Sequence, residues 1–297
     1  MSDSRPLDLP KEVIRQLSTR SDFKGMLQLL SHLFLLFLTT VWISGSFDSI
    51  FVYPALLVHG IVLIFLFCPL HETIHFTAFK NKQLNNEVAA ILGFLLLLPY
   101  QHFRAFHTAH HRFTQDPERD PELAGPRPEN RKAYFLAMTG YAVWKGCTLG
   151  LWKHAMGDVD AAFIEERKHA LIVLEARCYV GLYGLLVLGS ILTANSTIWW
   201  YWVLPALLGQ PVLRLFLIAE HFGCDESTNM LKNSRTTYTG PVVNFLSWNM
   251  AYHAEHHYLA SIPFHALPAL HAYTGSQVKH RDDGYLNVNR KILDQLE

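Results

Sequence analysis

The sequence predicts an all-α integral membrane protein: four transmembrane helices in two hairpins, with a cytosolic helical cap that holds a histidine-rich dimetal site. Three observations carry this prediction. Of the 297 residues, 50% are hydrophobic and the mean hydropathy is positive, which is more apolar than a soluble domain of this length. Four apolar runs, each near the roughly 20 residues that cross a bilayer, occur in two pairs. Three histidine clusters lie beside or beyond these runs in a chain of 17 His: His71-Glu-Thr-Ile-His75, His107-Thr-Ala-His110-His111 and His253-Ala-Glu-His256-His257. The formal charge is zero, so no bulk field favours nucleic acid. Cys68, Cys147, Cys178 and Cys224 are far apart and form no C-x-x-C, which argues against a disulfide framework and against a thiolate zinc site.

The chain reads as one domain. Residues 1–25 form a polar lead-in with no apolar h-region, expected to be cytosolic and not a cleavable signal. Residues 26–70 hold the first hairpin, Met26 to Ser44 and Ile50 to Leu70, and its link from Gly45 to Ser49 carries no Lys or Arg. Residues 71–169 hold the first two histidine boxes. Within them, Val88 to Tyr100 is too short to cross and contains Pro99, so it reads as a membrane-dipping helix that returns to the same side. The acidic, proline-rich link from Asp116, with Glu118, Asp120 and Glu122, reads as a solvated turn. Arg131 to Met156 interleaves Tyr134, Phe135, Tyr141, Trp144 and Trp152 with basic residues, as helices in the headgroup interface do, or as a solvated helix packed on the core would. Residues 170–222 hold the second hairpin, Leu171 to Thr193 and Ile198 to His221, and 223–297 form a polar tail with the third box. Of 25 Lys and Arg, 23 lie in the lead-in, the 76–170 region or the tail, so the positive-inside rule puts both termini and all the boxes in the cytoplasm.

On helices, the i, i+4 and i, i+3, i+4 spacings put each box's imidazoles on one face. Eight imidazoles are too many for one tetrahedral zinc. Two ions sharing them is the natural count, and imidazole without thiolate suits iron, copper or zinc. A competing reading takes His71-Glu-Thr-Ile-His75 as H-E-x-x-H, the helical motif of zinc proteases with Glu72 as general base, and leaves both H-x-x-H-H clusters unexplained.

The three boxes, the two hairpins, Pro69 to Glu72, Phe103-Arg104 and Asn249 to His257 resemble the membrane fatty acid desaturase and hydroxylase superfamily. The resemblance covers about residues 30–275. It implies a non-haem di-iron centre: two iron ions, O2 as co-substrate, and attack on an unactivated C–H bond. Carried over residue by residue, it makes His71, His75, His107, His110, His111, His253, His256 and His257 iron ligands. His221, at the end of the fourth span, stands where acyl-CoA desaturases place a further ligand, which gives nine. Those relatives have a wider first box and an Asn where this chain has Leu217, so the likeness is closer to shorter-box members.

Each ligating ring needs an acceptor for its other N–H. Glu72, Glu220, Glu255 and His102 are candidates for that role, and the acidic loop residues Asp116, Glu118, Asp120 and Glu122 are a further set for which the solvated turn is the favoured reading. His32 and His59 lie within spans, where an ionisable group either lines a substrate channel or hydrogen-bonds a neighbouring helix; His59 is carried as a channel candidate. Glu175 and Arg214 come at similar depths in the second hairpin and suggest an ion pair, and Arg214 alternatively meets a polar or carboxylate group of the substrate. No nucleotide fingerprint, C-x-x-C cluster or haem-binding segment is present, so electrons are expected from a ferredoxin- or cytochrome-type donor with its reductase. The expected activity is formation of a double bond in a membrane lipid's acyl chain. The alternatives are hydroxylation or ketolation of an alkane, carotenoid, sterol or smaller amphiphile, in a bacterial inner membrane or the endoplasmic reticulum.

Overall fold

The computed structural model describes residues 9–125 and 127–297; the first eight residues of the lead-in lie outside them. After a short helix α1 (Lys11–Leu17), Ser21 caps α2 (Asp22–Ser44) by accepting from the Lys24 amide, and the chain then rises through a Leu- and Phe-rich helix. Its outward face carries Phe23, Leu27, Leu30, Phe34 and Phe37, all more than half exposed, a surface that only lipid can cover. The return leg is α3 (Val52–Ile64) followed by α4 (Phe67–Ile74), together a 23-residue span from Val52 to Ile74. Its last turn therefore already carries His71. The second hairpin comprises α9 (Glu166–Leu192) and a span from Trp199 to His221 whose main part is α10 (Leu204–His221).

The two hairpins meet where α3 crosses α10. A Cβ at Gly60 would lie 2.1 Å from the Pro205 carbonyl oxygen, and one at Gly209 would lie 2.1 Å from that of Gly60. Only glycine permits this backbone contact, which replaces the hydrophobic drive that helices in lipid lack. The span histidines serve the same packing. His59 Nε2 donates to the Tyr201 carbonyl at 3.0 Å, with Nδ1 2.8 Å from the Thr39 hydroxyl, and His32 Nε2 donates to the Val62 carbonyl at 2.9 Å. His59 is therefore a helix-to-helix bridge and not a channel residue.

The dipping segment is two helices of 14 residues each, α5 (Lys82–Leu95) and α6 (Tyr100–Phe113), bent by 101° at Leu96–Pro99. Such a corner leaves backbone groups unpaired at both helix ends. The second hairpin satisfies them. Glu175 accepts from the Tyr100 and Gln101 amides, each at 3.0 Å. Tyr179 donates to the Ala90 carbonyl and Trp202 to that of Leu95. The expected Glu175–Arg214 ion pair is absent because Glu175 is already committed to capping α6.

Beyond α6, two helices, α7 (Arg131–Met138) and α8 (Tyr141–Ala155), expose Phe135, Leu136, Tyr141, Leu149 and Trp152, a pattern that fits the headgroup layer. The tail winds through α11 (Met230–Asn233), α12 (Pro241–Leu246), α13 (His253–Tyr258), α14 (Leu267–Thr274) and α15 (Tyr285–Gln295). It adds one feature the all-α expectation lacked: a parallel pair, β1 (Arg235–Tyr238) with β2 (His280–Asp283), in register Arg235 to His280 through Tyr238 to Asp283. The pair clamps the third box, since Thr236 donates to Glu255 and the Thr237 amide to the Ala251 carbonyl.

Candidate metal centre

Four elements end at one place. The last turn of α4 with its C-cap brings His71 and His75, α6 brings His107, His110 and His111, the end of α10 brings His221, and α13 brings His253, His256 and His257. The nine rings sort into two groups. His71, His75, His107, His111 and His256 offer nitrogens within 4.8 Å of one another, and His110, His221 and His257 do the same. His253 joins the second group, with its Nε2 2.9 Å from that of His221. All nine positions expected from the sequence converge.

The donor set asks for cations. His110 Nδ1 donates to Asp120 Oδ1 at 2.9 Å, and His221 Nδ1 donates to the Asn233 carbonyl at 3.2 Å, so in either neutral ring it is Nε2 that offers a lone pair. The two Nε2 atoms face each other at 3.1 Å in a buried site. A proton or a metal ion must lie between them, since two bare lone pairs at that distance repel. About 3 Å is also the separation of two nitrogens that meet one ion at right angles with bonds of about 2.1 Å. Further Nε2 pairs stand at 2.7 Å (His71 and His107) and 3.0 Å (His107 and His111; His111 and His256).

The electrostatics keep most of the rings neutral. Burial, and then neighbouring imidazoles, push His107, His111, His253, His256 and His257 well below the ordinary histidine value; burial and then Arg104 bring His75 to about 3. His110 differs. Burial works against its charge, but Glu122 and Asp120 outweigh that and raise it to about 10, so without a metal its Nε2 also carries a proton, which a bound ion would displace while Nδ1 stays protonated against Asp120.

The acidic loop is thus not simply a solvated turn. Asp116 and Glu118 face solvent, whereas Asp120 is 4% exposed and grips His110, and Glu122 Oε2 lies 2.9 Å from the same Nδ1. The sequence offers this pair as ring acceptors only as the less favoured alternative to a solvated turn. Its signal is position: an Asp-Pro-Glu triplet ten residues after a ligating histidine, with Pro121 turning the chain back. Of the carboxylates expected to orient rings, Glu220 does reach one, 3.3 Å from His253 Nδ1. Glu72 instead accepts from Thr77 at 2.8 Å and from the Phe264 amide at 3.1 Å, and Glu255 holds Thr236, Thr274 and His271 Nδ1. Neither touches one of the nine rings, because each lies on the opposite side of its short helix and ties that helix to the tail. Glu72 is thereby also unsuited to the general-base role of H-E-x-x-H. His102 stands apart as well, tilted against His154 with ring centroids 4.5 Å apart, and reaches the site only as part of a cavity wall.

That cavity, about 410 Å3, opens against His71, His107, His110 and His253 and is otherwise largely apolar, with Phe67, Phe103 and Leu213 in its wall. Arg214 and Gln210 also line it.

A helical membrane protein with four spans, converging on one buried knot of imidazoles beside an apolar cavity, is a histidine-box membrane protein. The chain belongs to the fatty acid desaturase family, which it matches over residues 47–287. It is 30% identical over 215 residues to a sphingolipid delta(4)-desaturase of Komagataella phaffii, covering 69% of this chain and 56% of that one. It is 25% identical over 242 residues to a dihydrorhizobitoxine desaturase of Bradyrhizobium elkanii, covering 73% of this chain and 64% of that one. The chain thus spans less than two thirds of the length of these curated relatives.

Proposed function

We propose that the protein is an O2-dependent oxidoreductase that introduces a double bond into a lipid acyl chain, using two iron ions held by the nine histidines. The observation that carries this reading is the convergence of nine histidines into two clusters of ring nitrogens beside an apolar cavity. Family membership and two relatives named as desaturases support it. Iron bound there would supply the electron chemistry by which O2 removes hydrogen from an unactivated C–H bond. The protein's own part is geometric and electrostatic. Neutral imidazoles bring no anionic charge to the ions, Asp120 and the Asn233 carbonyl hold two rings in the required tautomer, and the cavity walls lay a methylene chain against His71 and His107 while excluding water. Electrons come from a ferredoxin- or cytochrome-type donor with its reductase, docking on the side of the boxes. That side is cytoplasmic, as are both termini, because the two spans that end in histidines run in the same direction and the links at the other face lack basic residues.

The test is expression with a matched donor and reductase, with lipids profiled against a His107→Ala control and metal measured on purified protein. A new double bond that depends on His107, with two iron ions per chain, is the expected result. One zinc per chain and activity without oxygen would refute the reading.

A further inference from the structure

α10 carries a polar stripe that the metal centre does not use. Gln210 and Arg214 lie one turn apart on the same face, both in the wall of the 410 Å3 cavity. Gln210 is 2% exposed and its Oε1 has no partner; Arg214 Nε is buried with none either. Among the described residues no carboxylate lies within ion-pair distance of Arg214. The two acids that share its cavity lie closer to histidines, Glu122 at 2.9 Å from His110 Nδ1 and Glu220 at 3.3 Å from His253 Nδ1, the latter without a hydrogen bond. An unpaired guanidinium within a membrane span is costly and is retained where something pairs with it. Gln210 is also held in place. Gly140, at φ +71°, backs onto it so closely that a Cβ there would fall 2.2 Å from Gln210 Cγ.

The surrounding space has two characters. A second cavity of about 430 Å3, reaching the polar loop at Gln115 and Arg127, shares Arg214 and Leu217 with the first. An apolar slot of about 240 Å3 between Leu186, Val187, Ile198 and Val203 shares Trp144 with it on the lipid side. Arg214 thus stands between a cavity that reaches a polar loop and one that has an apolar slot on the other side of Trp144. Along α10 it is seven residues, about 10 Å, from His221.

We propose that Arg214 and Gln210 form a subsite for the carboxylate of an unesterified, chain-bearing acid, drawn wholly into the protein with its tail toward Trp144 and its methylenes across the histidine cluster. The guanidinium supplies the charge and paired N–H donors. The amide supplies one more, since a half-turn exchanges its oxygen and nitrogen. Identification of this cavity as the substrate's rests on the desaturase reading above; the subsite itself is tested without turnover.

The experiment is equilibrium binding of radiolabelled dodecanoate and dodecanol to the full chain in nanodiscs, with no electron donor. Wild type is expected to bind dodecanoate at least tenfold more tightly than dodecanol. Arg214→Gln should lose at least tenfold for dodecanoate and change dodecanol less than twofold, and Arg214→Lys should fall between. Equal wild-type affinities, or dodecanoate binding unaltered in Arg214→Gln, overturns the proposal. Should Arg214→Gln fail to insert, Gln210→Leu decides: a loss of threefold or more for dodecanoate alone supports the subsite, and no change refutes it. An enzyme that binds dodecanoate in this way but forms no double bond counts against the desaturase reading only.

Discussion

Asp120 shows how much one side chain contributes to a ligand cluster. It is buried beside the second box, accepts from His110 Nδ1 and, through its other oxygen, from the Gln115 amide, so it fixes both a ring and the loop that carries it. Replacing Asp120 by Ala should lower metal affinity by about 10- to 100-fold, read as metal retained after dialysis against chelator. Asp116→Ala, four residues earlier and at the surface, should leave retention at the wild-type level. His102 gives a pH test. Burial and then His154 lower it to about 4 in the folded protein, against about 6.5 unfolded, so the unfolded chain binds the extra proton first. Its contribution is complete above about pH 6.5 and is lost as pH falls toward 4. The melting temperature of wild type should drop more steeply across that window than that of His102→Gln, and parallel curves would contradict the assignment.

Among the elements, the corner between α5 and α6 is the one the second hairpin sustains. Glu175 accepts two amides at the start of α6, and leaving them unpaired in an apolar setting costs about 1–3 kcal/mol. Glu175→Ala should therefore lower stability by that order in a detergent melt. Because Arg214 is not its partner, a double-mutant cycle with Arg214→Gln should give a coupling below about 0.5 kcal/mol. A larger coupling would restore the ion pair. The spans and boxes were legible because apolar length and histidine spacing are local signals. The corner's exact position, the capping by Glu175 and the small β1–β2 pair were not, since each depends on partners 45 or more residues away.

For the whole molecule, the arrangement places the boxes at one end of both hairpins and the links at Ser46 and Ser196 at the other. In a cysteine-free background, cysteines at the exposed link residues Ser49 and Ser196 should react with an impermeant thiol reagent from outside intact cells, and one at Ser227 only after permeabilisation. The reverse pattern would invert the topology. The pairing of the spans follows from four runs of apolar residues, and the expected orientation from the distribution of basic ones, both written in the chain.

The residue sequence by itself determined the membrane class, the paired spans and the eight box histidines, because hydrophobic length and helical periodicity act over neighbouring residues and survive without knowledge of contacts; His221 came only from the family resemblance. Only the tertiary structure decided which acids serve the rings. Glu72 and Glu255 sit inside the boxes yet tie helices to the tail, while Asp120, in a stretch that reads as solvent-facing, closes on His110. The same holds for the charges in the spans. Glu175 and Arg214 match in depth, but helix rotation turns one toward an amide pair and the other into a cavity, and depth along a chain carries no information about rotation.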